Sequence, residues 1–349
     1  MQMRGATMLF FLQKKYDVNA RLVCPPGSKW EYIRFAFLIL KLTFYRKKYI
    51  KVVIQQVIDQ SFYAKMLLFL SRQRKDIVYD VDYSVNHLKK THTYNAFLNS
   101  AKTVVSGSQW VQNAVQKTGV VSYYLPTPVQ AKEIAMSPKN IRLTIGWIAD
   151  CRLNDSTDET LSNLNVLNEM LIPVLKELNF PIKLELIGLR NAKDRNQIRE
   201  AFRGYHLIQL SMPTEACFTE QLELQERIEN WDLALSPSSK HLFNLSCASH
   251  LTQLILSAGV PLIVSNVGEH AKLIRNGENG WKCDSVSEFT HCAKIFINLS
   301  NEQQQKMREE ALKSVACRDI SSISERFAEW VLSGTVQRSS SLLGNSELV

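Results

Sequence analysis

Asp80 and Asp82 close the apolar run IVYDVD and are the first carboxylates placed to do chemistry. At a strand end they point to opposite faces, or they fall in the loop that follows. Two carboxylates there can hold a metal or act as a base. Alternatively, Asp82 caps the next helix, whose basic stretch is HLKKTH. His87 and His92 fall on different faces of that helix, which argues against a shared metal. A second set of groups lies between Trp231 and Cys283. Ser236 and Pro237 end the run LALS, Ser246 precedes a helical pattern, and Gly268 and Glu269 open another. Helix starts hold anions through free N–H groups and the helix dipole, so the chemistry within reach is the holding of phosphate. Gly188 ends IKLELIGL, where a backbone without a side chain can pass close to a ligand.

These groups need elements to position them. From Trp231 to Cys283 the pattern reads strand, helix, strand, short helix, strand. LALS and PLIVS are short apolar runs, and CASHLTQLILSAG has helical spacing ending on Gly259. Alternation of this kind predicts a parallel sheet whose ligands sit at the carboxyl ends of its strands. Upstream, ATMLFFL and ARLVCPP read as the first two strands. KVVIQQV, DIVYD, TVVSGS and VVSYY read as further strands with helices between them. Pro126, Pro128 and Pro138 punctuate a connector over 125–139. IRLTIGWIAD then opens a second domain. The expected division is a domain over 1–135, a second over 136–317, a last helix over 318–335 and a disordered Ser-rich tail over 336–349.

Composition bounds the alternatives. The chain has 349 residues, 45% hydrophobic and 21% charged, which suits two globular domains with ordinary cores. Its seven cysteines are odd in number and show no metal-finger spacing, which fits a reducing compartment. The net charge of +9 admits an anionic partner. No aromatic-interleaved basic stretch marks a nucleic-acid groove, and no GxGxxG follows a strand as a dinucleotide site would need. No secretory signal is recognisable, so a cytoplasmic location is expected. The stretch KWEYIRFAFLILKLTFYRKKYIK, residues 29–51, combines a broad apolar face with mostly basic charges. It reads either as a peripheral contact with an anionic membrane, at its inner face, or as a core helix with a solvated basic end.

The string AGVPLIVSNVGEHAKLIRNGENG resembles the donor-binding half of GT-B glycosyltransferases of the retaining, glycogen-synthase-like kind. The residues that carry the resemblance are Gly259, Val260, Pro261, Gly268, Glu269, Leu273, Ile274, Gly277, Asn279 and Gly280. IVYDVDYS and KTVVSGSQWVQNAV are similar to N-terminal segments of that group, and the likeness runs over roughly residues 5 to 316. It implies an α/β fold, GT-B, of two Rossmann-like domains facing a central cleft. It also implies transfer of a sugar from a nucleotide-sugar donor to a glycan or lipid-linked acceptor, as in cell-surface polysaccharide biosynthesis, with no metal and no other cofactor.

By the same resemblance the donor meets Arg152, Gly188, Ser236, Pro237, Ser246, Gly268 and Glu269, and the acceptor lies on the side of Asp80 and Asp82. A guanidinium such as that of Arg152 can take two phosphate oxygens at once, or it can be a surface group beside Asp150 and Asp155. Glu269 either accepts from a sugar hydroxyl or satisfies backbone donors at a helix start. Leaving-group stabilisation needs no side-chain nucleophile, and none is marked as catalytic. The group's spaced pair of glutamates is absent, with Ser246 and Leu254 at those positions. The alternative is therefore a catalytically inactive GT-B relative that binds a glycan or a protein.

Overall fold

The computed structural model describes residues 3–16, 21–44, 51–55, 61–74, 77–81, 91–101, 103–130, 142–149, 163–189, 191–213, 221–247 and 249–332. The first half runs α1 (Met3–Tyr16), α2 (Lys29–Phe44), β1 (Val52–Gln55), α3 (Phe62–Gln73), β2 (Ile77–Val81), α4 (Thr91–Ser100), β3 (Thr103–Ser106), α5 (Gln109–Gln116) and β4 (Val121–Tyr124). Among the described residues, four strands of this half form a parallel sheet in the order β1-β2-β3-β4. β2 is buried along its whole length, as a strand covered on both faces must be. Ile77, Tyr79 and Val81 face Phe35 and Ile39 of α2 and Phe97 of α4. Tyr79 and Phe97 stack with ring centroids 5.2 Å apart. Val78, Val105 and Leu125 lie in a separate cluster with Met8 and Leu12 of α1.

That cluster corrects one expectation. ATMLFFL is not a strand but part of α1, and residues 21–27, which include most of ARLVCPP, have no regular structure. A short apolar run fits either period, and the tertiary partner decides. Met8 and Leu12 stand one turn apart on one face, and Lys14 and Lys15 complement the negative end of the helix dipole.

The second half runs β5 (Leu143–Ile148), α6 (Asn163–Val166), a π-turn (Leu167–Leu171), α7 (Ile172–Glu177), β6 (Ile182–Ile187), α8 (Ala192–Ala201), β7 (Ile208–Ser211), α9 (Gln221–Ile228) and β8 (Leu233–Ser236). It continues with α10 (Leu242–Ser246), α11 (His250–Ser257), β9 (Leu262–Ser265), α12 (Gly268–Leu273), β10 (Gly280–Cys283), α13 (Val286–Asn298), α14 (Asn301–Val315) and α15 (Ile320–Leu332). Among the described residues, six parallel strands are ordered β10-β9-β8-β5-β6-β7. The π-turn precedes Pro173, whose missing N–H and bulky ring cannot fit an unbroken α-helix.

This sheet is pinned by a tight packing at its centre. The Trp231 indole lies over Gly146 of β5, where a Cβ would come within 2.0 Å of the ring. Trp231 Nε1 donates to Glu185 Oε2 at 2.7 Å, and Arg227 donates to Glu185 Oε1 at 3.1 Å. The buried carboxylate thus keeps two donors, which offsets its desolvation.

The last helix belongs to the other sheet. Ile323, Phe327 and Ala328 of α15 pack with Met8, Leu12 and Val78, and Lys15 pairs with Glu325. At the crossing, Val129 N donates to Arg318 O at 3.0 Å and Ile320 N donates to Val129 O at 2.9 Å. The outgoing and returning segments are therefore bonded to each other. Among the described residues no helix is long and apolar enough to cross a membrane.

Candidate functional site

The carboxyl ends of the two sheets meet. β3 ends at Ser106, the chain turns through Gly107, and Ser108 caps α5 by accepting from Val111 N at 3.2 Å. The same Ser108 hydroxyl donates to the Ser246 carbonyl oxygen at 2.7 Å, at the end of α10. Gln109 N, a free donor of the first turn of α5, donates to Glu269 Oε1 at 3.0 Å. Lys272 reaches both sides, donating to Gln109 Oε1 and to Glu269 Oε1, each at 2.9 Å. A carboxylate at a helix start is favoured by the dipole. Here the carboxylate on α12 serves the N-terminus of a helix packed on the other sheet.

Loops after β8 and β9 complete the floor. Ser236 ends β8, and Ser238 N donates to Ser265 Oγ at 2.8 Å, tying that loop to the end of β9. Pro237 is buried and Ser236 half-buried. Gly268 has φ 63°, and a Cβ there would come within 2.5 Å of Asn244 O, so α10 and α12 require glycine at their contact. Asn244 Nδ2 holds the preceding loop through Ser239 O at 2.9 Å. Gly188, with φ 89°, leaves the end of β6 in the left-handed region. At the outer edge Lys240 pairs with Asp284 at 3.1 Å, and Asn266 also donates to Asp284. These two contacts hold the Asp284 carboxyl below its ordinary range, Lys240 foremost.

The sequence candidates thus separate. Ser236, Pro237, Ser246, Gly268 and Glu269 gather around the ends of β8, α10 and β9. Glu269 is 3% exposed, and its Oε1 is engaged by Gln109 and Lys272. The backbone donor it meets is Gln109 N of α5, on the other sheet, rather than a donor at the start of α12. Ser246 is buried at the C-terminal end of α10, and the helix start expected near it lies at His250. Ser246 therefore offers a carbonyl, not the N–H groups of a helix start. Leu254 is fully buried in the core beside Val264 and Leu262. Asp80 is 1% exposed on β2, between Gln55 and Val105, on the same face of the strand as Val78. Arg152, Asp82 and His87 lie outside the described residues. Among the described residues, no three His, Cys, Asp or Glu side chains gather as a metal would require.

Ser108, Gln109 and Lys272 carry the bridge, and sequence reasoning did not single them out. The signal that could have found Ser108 is its N-cap position directly after the Ser106–Gly107 strand end.

Two parallel sheets with facing carboxyl ends, a connector between them and a last helix returning to the first make this the GT-B fold. The structure of HepE from Anabaena in complex with UDP-glucose is similar over 93% of this chain and 88% of that one, with a TM-score of 0.62 and 13% identity. A glycosyltransferase from Rickettsia africae matches over 93% and 88%, with a TM-score of 0.62 and 13% identity. The lipopolysaccharide outer core galactosyltransferase WaaB, in its apo form, matches over 89% and 83%, with a TM-score of 0.56 and 14% identity. No family model and no curated protein matches the sequence.

Proposed function

We propose that this chain transfers a sugar from a nucleotide-sugar donor to a glycan or lipid-linked acceptor, with retention of configuration, in the assembly of a cell-surface polysaccharide. The observation that carries the reading is the meeting of the two halves at the carboxyl ends of their sheets, through Ser108 with Ser246 and Gln109 with Glu269. Fold neighbours bound to UDP and UDP-glucose support a nucleoside diphosphate sugar as the donor. On this reading the donor binds along the second domain, over 136–317, and the acceptor enters from the first, over 1–135.

The chemistry asked of the protein is to hold the departing diphosphate and to exclude water. Arg152 is assigned to the phosphates and the Ser236–Ser238 loop to the nucleotide. Glu269 is assigned to a sugar hydroxyl. Its Oε1 is held by Gln109 N and Lys272, so the other carboxylate oxygen is the one assigned to the ligand. No side chain is assigned as nucleophile and no metal is invoked.

A thermal-shift screen with UDP-, GDP- and ADP-sugars, without added metal, tests the proposal. A ligand bound only by the folded state raises the melting temperature once it exceeds its dissociation constant. A shift with one base identifies the donor class, and Arg152→Ala then weakens it. Glu269→Gln is expected to abolish transfer while the fold persists. A second reading is an inactive relative that binds a glycan or a protein. It is favoured by Leu254, an apolar core residue where the resembling group carries an acid. A folded sample that responds to no nucleotide sugar selects this reading.

A further inference from the structure

The outer face of α2 is apolar and open to solvent. Trp30 is 75% exposed, Phe37 69% and Phe44 77%, with Ile33 and Leu40 also exposed between them. At about 100° per residue these five side chains fall within roughly a quarter-turn of the helix, opposite the buried Phe35, Ile39 and Thr43. The neighbouring α3 repeats the arrangement. Phe62 and Phe69 are exposed on one of its faces, with Lys65 and Arg72 among them, and the rings of Tyr32 and Phe62 join the two helices at 6.2 Å. Single exposed apolar residues need no explanation, but a contiguous aromatic stripe does.

The charges around the stripe are of one sign. Lys29 flanks it on one side and Arg34 and Lys41 on the other, all exposed. Directly after Phe44 the sequence continues through Arg46, Lys47 and Lys48. The one acidic residue of α2, Glu31, points away from the stripe and is occupied at the helix start, where it accepts from Gly27 N at 2.6 Å and Ser28 N at 3.0 Å. α3 carries no acidic residue.

We propose that the paired outer faces of α2 and α3 form a docking surface for an anionic lipid bilayer, with α2 lying flat in the headgroup region. α2 has 16 residues and carries Arg34 and Lys41, so it is too short and too charged to span. An in-plane helix instead buries its apolar stripe while basic side chains beside it meet acidic headgroups. Trp and Phe suit that boundary. Charge decides against a second copy as the occupant, because a symmetric pairing through this stripe would set Lys29, Arg34 and Lys41 of both chains against each other. This surface is independent of the transferase reading, since a chain without activity would carry it unchanged.

Flotation of the full chain with phosphatidylcholine vesicles, with and without phosphatidylglycerol, tests the surface. The wild type is expected to float with the phosphatidylglycerol vesicles, less so as salt rises. The double variant Phe37→Ser/Phe44→Ser should remain folded, because both rings are already in solvent, and should lose flotation. Lys29→Glu/Arg34→Glu/Lys41→Glu should bind more than tenfold more weakly, since each basic residue near an anionic surface is worth about fivefold. Failure of the folded wild type to float would overturn the proposal. So would undiminished flotation of the Phe37→Ser/Phe44→Ser variant. A wild-type dimer that this variant dissolves, in a chain that does not float, would assign the stripe to self-association instead.

Discussion

The two sheets solve the same covering problem with different completeness. Apart from Val129 of the connector, the six-stranded sheet buries both faces within its own stretch of chain, and its large exposed apolar side chains among the described residues are Tyr205, Leu207 and Ile295. The four-stranded sheet borrows part of its cover from α15, and its outer helices leave Trp30, Phe37, Phe44, Phe62 and Phe69 in water. A sheet that closes on its own residues is specified locally. The other depends on a distant helix and still exposes aromatic surface.

The comparison can be broken at its strongest point first. Trp231→Ala removes a fully buried indole and one of the two donors to Glu185, and should cost about 4–5 kcal/mol. Hydrogen exchange should accelerate in β5, β6 and β8 and leave β2 and β3 unchanged. If β2 and β3 respond equally, the two sheets unfold as one unit and the contrast fails. Phe327→Ala should cost about 3 kcal/mol, and its effect should appear in the distant first sheet. Protection lost at Val78 and Val105, with β8 and β9 intact, is the expected pattern.

A pH titration sharpens the contrast further. Burial raises the Tyr94 phenol, packed beside Tyr79 in the first sheet, to about 12. The unfolded phenol ionises near 10, so the neutral buried form favours folding below that pH. This contribution is lost as pH rises from about 10 through about 12, and amounts to about 2–3 kcal/mol. Alkaline denaturation should therefore be shallower for Tyr94→Phe than for the wild type over that window. The smallest effect is expected at the bridge. Ser108→Ala removes the α5 cap and the donor to Ser246 O, for about 1–2 kcal/mol, measured by chemical denaturation.

The same contrast governs what could be read in advance. LALS and PLIVS were legible as strands because each is a buried run bounded by turn residues, with Gly259 closing the helix between them. ATMLFFL misled because its helical face exists only against Val78 and Phe327, far away in sequence. The helix start expected over 246–248 lies slightly later, at His250, because a separate short helix, α10, ends at Ser246. The contacts that join the candidate site link residues 138 and 160 positions apart, and no local pattern encodes them. The exposure of the α2 stripe was likewise hidden, since apolar periodicity shows that a helix has a greasy side without saying how many such sides are covered.

The pairing of α1 with α15 sets an order of events during synthesis. The first sheet leaves the ribosome early, but Met8, Leu12, Val78 and Val105 lack Ile323 and Phe327 until the end of the described chain has emerged. The second sheet in turn awaits Ala311 and Val315 of α14, so both cores are closed by the same late stretch of chain, and the earlier-made half carries an unfinished face until then.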